Sequence, residues 1–349
     1  MVDNTLLLDV LNGRPVTRPP VWLMRQAGRI LPEYRALRAS LSGFKELVET
    51  PELAAEVTCQ PIDHLGVDAA IVFSDILTVP QALGLPYEMI KGFGPKFPKV
   101  IERPSDIDQL DSAEPAAASM QYVYDAVAAS VRRINGRVPL IGFAGAPWTI
   151  FCYMIEGQGS KTFSKARRWL QAEPVASERL LMLIANTTAL YLRAQVAAGA
   201  QVVQLFDSWA GILSPALYNR FALKASRHAL AQLDASAAPR ILFARGAWHS
   251  MRVLAEAEAY GIDWATPMHI AREAYGPKTV LQGNLDPASL YGTEASITAE
   301  TKSIIAAAGG AHIMNLGHGV YPDTPLDSVK SFIAAVKAET TEAVAGQSR

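Results

Sequence analysis

Cysteine is nearly missing from this chain: Cys59 and Cys152 are the only two in 349 residues. Two thiols cannot staple a chain of this length, and neither stands in a C-x-x-C pair. A disulfide scaffold and a redox dithiol are therefore excluded, and a reducing, cytoplasmic setting is expected. An excess of one charge is missing too. The chain carries 32 basic against 33 acidic residues, a net charge of −1. No global field draws in nucleic acid or an anionic membrane, so an anionic ligand would need cations concentrated locally. Long apolar runs are also scarce. The opening MVDNTLLLDVLNGRP has no basic region, and Asp9 interrupts its apolar run, which argues against a signal peptide. The most apolar helical stretch, between Arg179 and Arg193, contains Asn186 and two threonines. It reads as falling short of the ~20 residues that span a bilayer.

Several signature motifs are absent. GFAGAP at 142–147 lacks G-x-G-x-x-G spacing, and no G-x-x-x-x-G-K-[ST] occurs. No H-E-x-x-H, H-x-C or C-x-x-C spacing supports a metal site, and no G-x-S-x-G elbow supports a serine triad. No metal is expected. No Gly/Ser linker or low-complexity segment divides the chain.

What remains is a pattern. Half the residues are hydrophobic, enough for a sizeable core. Short apolar runs recur at 20–24, 69–74, 139–144, 201–206, 240–244, 261–265, 279–283 and 312–316. Continuous apolar runs of this kind suit strands covered on both faces, as in a parallel sheet. Between them lie helical patterns at 50–66, 117–134, 176–198, 216–234, 249–258, 295–308 and 326–343. The first has Thr50 as N-cap, Pro51 at the first helical position and Gly66 past the end. Eight runs alternating with helices predict an α/β protein with a single (β/α)8 TIM barrel over residues 1–349. An open doubly wound sheet is the alternative. The Gly- and Pro-rich segment 87–110 reads as a hairpin or long loop inserted after the second run.

Active sites of barrels sit at the C-terminal ends of the strands. Here those ends carry Arg25, Asp75, Asp207 with Ser208, Arg245, Asn284 and His318. Arg25 and Arg29 are four apart. On a helix they would share a solvated face; in a loop around Gly28 they would form a fork for carboxylates. Asp75 could cap the next helix, but Pro80 follows early, and a desolvated carboxylate there could accept N–H bonds or stabilise a cation. Tyr153 has the surroundings of an ordinary core tyrosine. Ser208 in FDSWAG is unremarkable as a cap. His318 stands between two glycines at a strand end, which favours a ligand-facing loop over a structural histidine.

The motifs RPPVWLMRQAGRILPEYR, FSDIL, GFAGAPWT, YMIEG, FDSWAG, QGNLDP and MNLGHGV appear in this order along nearly the whole chain. Together they resemble the uroporphyrinogen decarboxylase family. The match loosens at Arg245, where that family commonly has lysine. The resemblance implies a single (β/α)8 barrel forming a homodimer with facing clefts. It implies that the four acetates of uroporphyrinogen III are converted to methyls, giving coproporphyrinogen III and carbon dioxide with no cofactor. It assigns substrate binding to Arg25, Gln26, Ala27, Gly28, Arg29, Asp75, Tyr153, Ser208 and His318, and catalytic roles to Asp75, Arg25 and Arg29. The competing readings are a corrinoid-linked methyltransferase of the same superfamily and a tetrapyrrole-binding protein without activity.

Overall fold

A computed structural model describes residues 2–90, 93–250 and 255–339. Seven strands form one parallel sheet in the order β1 (Ala70–Ile71), β4 (Leu140–Gly145), β5 (Val202–Asp207), β6 (Arg240–Ala244), β7 (Ala259–Gly261), β8 (Val280–Gln282) and β9 (His312–Ile313). The missing numbers belong to a separate antiparallel pair, β2 (Glu88–Ile90) and β3 (Gly94–Lys96), inside the segment expected to be a hairpin.

The sheet is buried on both faces because its strands alternate between two cores. Ile141, Phe143, Val202, Ile241, Phe243 and Val280 belong to one apolar cluster. Ala144, Val203, Leu205, Leu242 and Leu281 belong to another. Since successive strand residues point to opposite faces, this alternation is the packing form of the continuous apolar runs.

The sheet curls. Val21 makes a parallel bridge with Met314 beyond β9, and its carbonyl accepts the N–H of Asp68, just before β1, at 2.8 Å. Asp68 anchors this crossing point. Its carboxylate takes both Arg18 guanidinium nitrogens at 2.6 and 2.7 Å, the Asn4 amide at 2.7 Å and the Val21 N–H at 2.8 Å. The expected first strand at 20–24 is thus a single bridged residue rather than a ladder.

Other boundaries also differ. The expected strand at 261–265 ends where it should have begun. Past Gly261 the chain turns because Asp263 accepts the N–H groups of Ala265 and Gly246. The strands at 69–74 and 312–316 shrink to two residues each.

Among the helices, Pro51–Leu65 starts on Pro51 and ends on left-handed Gly66 (φ 68°), though the Thr50 side chain makes no cap hydrogen bond. The pattern at 216–234 resolves into a turn of α-helix, a π-helical stretch at Tyr218–Leu223, and Lys224–Ala231. Of the helix expected at 249–258, residues 251–254 lie outside the described set, and 255–258 are not helical. The final helix is Leu326–Ala338; residues 340–343 of the expected span lie outside the described set.

One expectation about length is corrected. Helix Pro174–Ala197 has 24 residues and is long and apolar enough, by length and composition, to cross a membrane. More than half of its most apolar window is buried inside the protein, as in a core helix.

Candidate active site

The first loop after Val21 has no regular structure of its own and is built by its neighbours. Met24 donates its N–H to the Asn315 side chain at 3.0 Å, and its carbonyl accepts the Val320 N–H at 3.0 Å. Gln26 is fully buried. Its side-chain oxygen accepts the Leu23 N–H at 3.0 Å, and its amide nitrogen donates to the Ala69 carbonyl at 2.9 Å. Between these ties Arg25 takes a left-handed backbone (φ 64°). A non-glycine residue held there is strained by ~1–3 kcal/mol, and the surrounding structure must enforce it. A helix begins only at Pro32, so the loop alternative for Arg25 and Arg29 is the one observed.

Arg29 is exposed, and Arg25 keeps part of its side chain open to solvent while its guanidinium reaches in among Asp75, Tyr153 and His318; Gln26, Ala27 and Gly28 between them are buried. Those three therefore offer a ligand little but backbone. A Cβ on Gly28 would make only an ordinary contact, 3.4 Å from the Arg25 carbonyl. The glycines that make room are elsewhere. A Cβ on Gly319 would run into the Arg25 side chain, and one on Gly317 into the Trp264 backbone.

Asp75 follows β1 and lies near the Arg25 guanidinium. Leu77 N–H reaches its Oδ1 at 3.1 Å and the Tyr87 hydroxyl donates to its Oδ2 at 2.7 Å. Burial raises its carboxyl above the ordinary value, while Tyr87, the backbone N–H groups of Leu77 and Ile76, and Arg25 pull it down. Burial lowers the Arg25 guanidinium. Arg29 pushes the same way, and Tyr153 and Asp75 push back. Tyr153, on helix Pro147–Glu156, is raised by burial and by Asp75, and lowered by Trp209 and Arg25. It is half-buried and coupled to both charges, so it is not an isolated core tyrosine.

His318 lies beside Arg25, next to the glycine that packs on the Arg25 stem. Its ring stands 6.0 Å from Trp264 and 6.3 Å from Phe243. Burial, Arg25 and Arg245 push it down to about 4, so the ring is neutral at pH 7. It can accept or donate a hydrogen bond without adding charge.

Ser208 sits half-buried in the turn after β5. Its neighbour Asp207 turns inward instead. It is fully buried, accepts the Thr149 hydroxyl at 2.7 Å, and is pushed up to about 7 by burial.

The recess thus joins residues from positions 25, 29, 75, 153 and 318. The sequence matches the family model described as "Uroporphyrinogen decarboxylase (URO-D)" over residues 2–339. The chain belongs to the uroporphyrinogen decarboxylase family. Similar curated proteins include the uroporphyrinogen decarboxylase of Schizosaccharomyces pombe, 46% identical, covering 95% of this chain and 96% of that protein. The human uroporphyrinogen decarboxylase is 43% identical, covering 96% and 94% respectively. Among solved structures, a methyltransferase from Methanosarcina mazei shares the fold at TM-score 0.77 and 21% identity, covering 96% of this chain and 98% of that one.

Two contacts around this decarboxylase-family site are not among the roles that the motifs assign. Tyr87 reaches Asp75 from the inserted segment. Arg245 holds its guanidinium carbon 5.8 Å from the Trp209 ring and 5.2 Å from the Trp264 ring. A flat guanidinium stacks on such rings better than an ammonium does, so arginine suits this position. Two signals in the sequence marked Arg245, its place at a strand end and the departure there from the family's usual lysine. Nothing in the sequence pointed to Tyr87.

Proposed function

We propose that this protein decarboxylates the four acetate side chains of uroporphyrinogen III to methyls, yielding coproporphyrinogen III and carbon dioxide, without a cofactor. The observation that carries the reading is the Asp75 carboxylate, held by the Leu77 N–H and the Tyr87 hydroxyl in the neighbourhood of Arg25 and Tyr153. The homology to named decarboxylases supports the substrate class.

Losing carbon dioxide from an acetate requires an electron sink, and the pyrrole supplies one. A proton added to a ring carbon makes the ring an iminium-like cation. The C–C bond to the carboxylate then breaks, its electrons return to the ring, and carbon dioxide leaves. A second proton adds to the exocyclic carbon to complete the methyl, and the proton first placed on the ring carbon leaves, restoring the pyrrole, so that one proton is consumed overall. Asp75 accepts pyrrole N–H bonds and stabilises the ring cation; preorganised charge in a water-poor site is worth ~3–4 kcal/mol. Arg25 and Arg29 bind carboxylates as charged donors, worth ~1.5–3 kcal/mol per bond. Gln26, Ala27 and Gly28 shape the loop, and Tyr153, Ser208 and neutral His318 take remaining carboxylates.

In this reading the Val21 segment serves as the eighth stave between β9 and β1, closing one (β/α)8 domain over residues 1–349. Two copies pair with facing clefts as a homodimer in the cytoplasm. The substrate is a small molecule, and neither nucleic acid nor membrane takes part. Two buried, unpaired cysteines fit a reducing compartment. Neither cysteine has a histidine two residues before it, which weighs against the His-x-Cys ligand set of a corrinoid-linked methyltransferase. The direct test is anaerobic incubation with uroporphyrinogen III and chromatography of the oxidised products. A ladder from eight to four carboxylates is expected. Unchanged octacarboxylate would overturn the activity and leave the non-catalytic binding protein.

A further inference from the structure

We infer that Tyr87 is a positioning residue for Asp75, and that the inserted hairpin serves the active site through its hydroxyl. The inference rests on the role of Asp75 proposed above, but its geometry is independent of it.

Tyr87 immediately precedes β2 and is 4% exposed. Its ring is fixed from two sides. Phe97, just past β3, packs on it with ring centres 5.7 Å apart. The Lys45 ammonium lies 4.8 Å from the ring centre and is itself tied to Gln81 at 2.8 Å. The hairpin is in turn fastened to the helix that carries Tyr153. The Phe97 N–H donates to the Gly157 carbonyl at 2.7 Å, the Ile101 N–H donates to the Met154 carbonyl at 2.9 Å, and Lys96 bridges Gln158. The hydroxyl therefore arrives at Asp75 on a rigid arm.

That arm has a definite effect on the carboxylate. With Leu77 N–H on one oxygen and Tyr87 O–H on the other, rotation about the Cβ–Cγ bond is locked. Each oxygen keeps a lone pair for a ligand. Two acceptors held in a fixed plane fit a pair of converging N–H donors, as the centre of a cyclic tetrapyrrole presents. The groups bearing on Asp75 electrostatically are Arg25 from the first loop, Tyr153 from its helix, Tyr87 from the insertion, and Tyr122 and Tyr191 from two further helices. Arg25 and Tyr87 are the two that favour its ionised form. Tyr87 is kept protonated, and so a donor, because burial and Asp75 both push its hydroxyl up.

Tyr87→Phe removes the donor and keeps the ring. With the aspartate carboxyls labelled with carbon-13, and the Asp75 signal identified by its loss in Asp75→Asn, the Asp75 titration midpoint should move up by ~1 pH unit or more. The acidic limb of kcat should move with it, kcat near neutrality should fall ~10-fold, and KM should stay within about twofold, since the arginines are untouched. An unmoved midpoint overturns the inference, even if kcat falls. If Tyr87→Phe does not fold, 3-fluorotyrosine at position 87, a stronger donor of nearly the same shape, should move the midpoint down; no movement overturns it equally. A wild-type protein that turns over no substrate while Tyr87→Phe still shifts the Asp75 signal would sink the proposed activity and leave the positioning intact.

Discussion

The Cα of Gly319 lies against the aliphatic stem of Arg25, so close that a methyl group on it would overlap the arginine Cδ. The glycine after His318 is therefore a packing requirement of the residue proposed to bind substrate, 294 positions earlier (319 − 25) in the chain.

Gly319→Ala should displace the Arg25 side chain while leaving the fold in place, because Gly319 does not need a left-handed backbone. Loss of one charged hydrogen bond at ~1.5–3 kcal/mol predicts a KM raised roughly 10- to 100-fold. Steady-state decarboxylation kinetics, with a melting curve as control, check it. An unchanged KM would mean that Arg25 does not contact substrate.

Asp75→Asn keeps the shape and the contact with Tyr87 but removes the charge. Turnover should drop ~10²–10³-fold, with KM little affected. Near-wild-type kcat would exclude Asp75 as the group that stabilises the ring cation.

Stability should respond to pH through buried groups of opposite sign. His312 is fully buried with Nε2 2.6 Å from the Gly283 carbonyl, and burial pushes it down from 6.5 to about 4. The folded protein refuses a proton that the unfolded chain accepts. Its contribution is present above about pH 6.5 and is lost as pH falls toward 4, at ~1.4 kcal/mol per unit. Asp207 acts the other way. Its carboxyl is raised from 3.8 to about 7, so the folded state keeps a proton that the unfolded chain has released. That contribution is lost as pH rises through this window. Urea unfolding between pH 4.5 and 6.5 should show His312→Asn lowering the slope of stability against pH and Asp207→Asn raising it. Equal slopes in all three proteins would refute the assignment.

The sequence revealed some features of this molecule more readily than others. Arg25, Asp75 and His318 are legible because each follows an apolar run directly, and parallel strands deliver their ends to one rim. Tyr87 is not legible: its partner is close only because a hairpin folds back over the sheet, and no periodicity encodes that path. The same holds for Asp68, whose four hydrogen bonds reach residues 4, 18 and 21. Strand ends failed where a side chain overrode the apolar pattern, as Asp263 does beyond Gly261. Gln26 is assigned to substrate binding by the resemblance alone, and its amide oxygen and nitrogen each hold a backbone group, a role that no motif spells out.

The ties that shape the first loop also set a timetable. Met24 is held by Asn315 and Val320, and Val21 by Met314. A ribosome makes the arginine loop first and the residues that bend it last. Contacts so distant in sequence form slowly, so a nascent chain carries Arg25 and Arg29 for nearly its whole synthesis before the loop that holds them takes its shape. Chains stopped short of residue 312 would hold the cations without the shape, and should be the forms that a cell's chaperones and proteases see most.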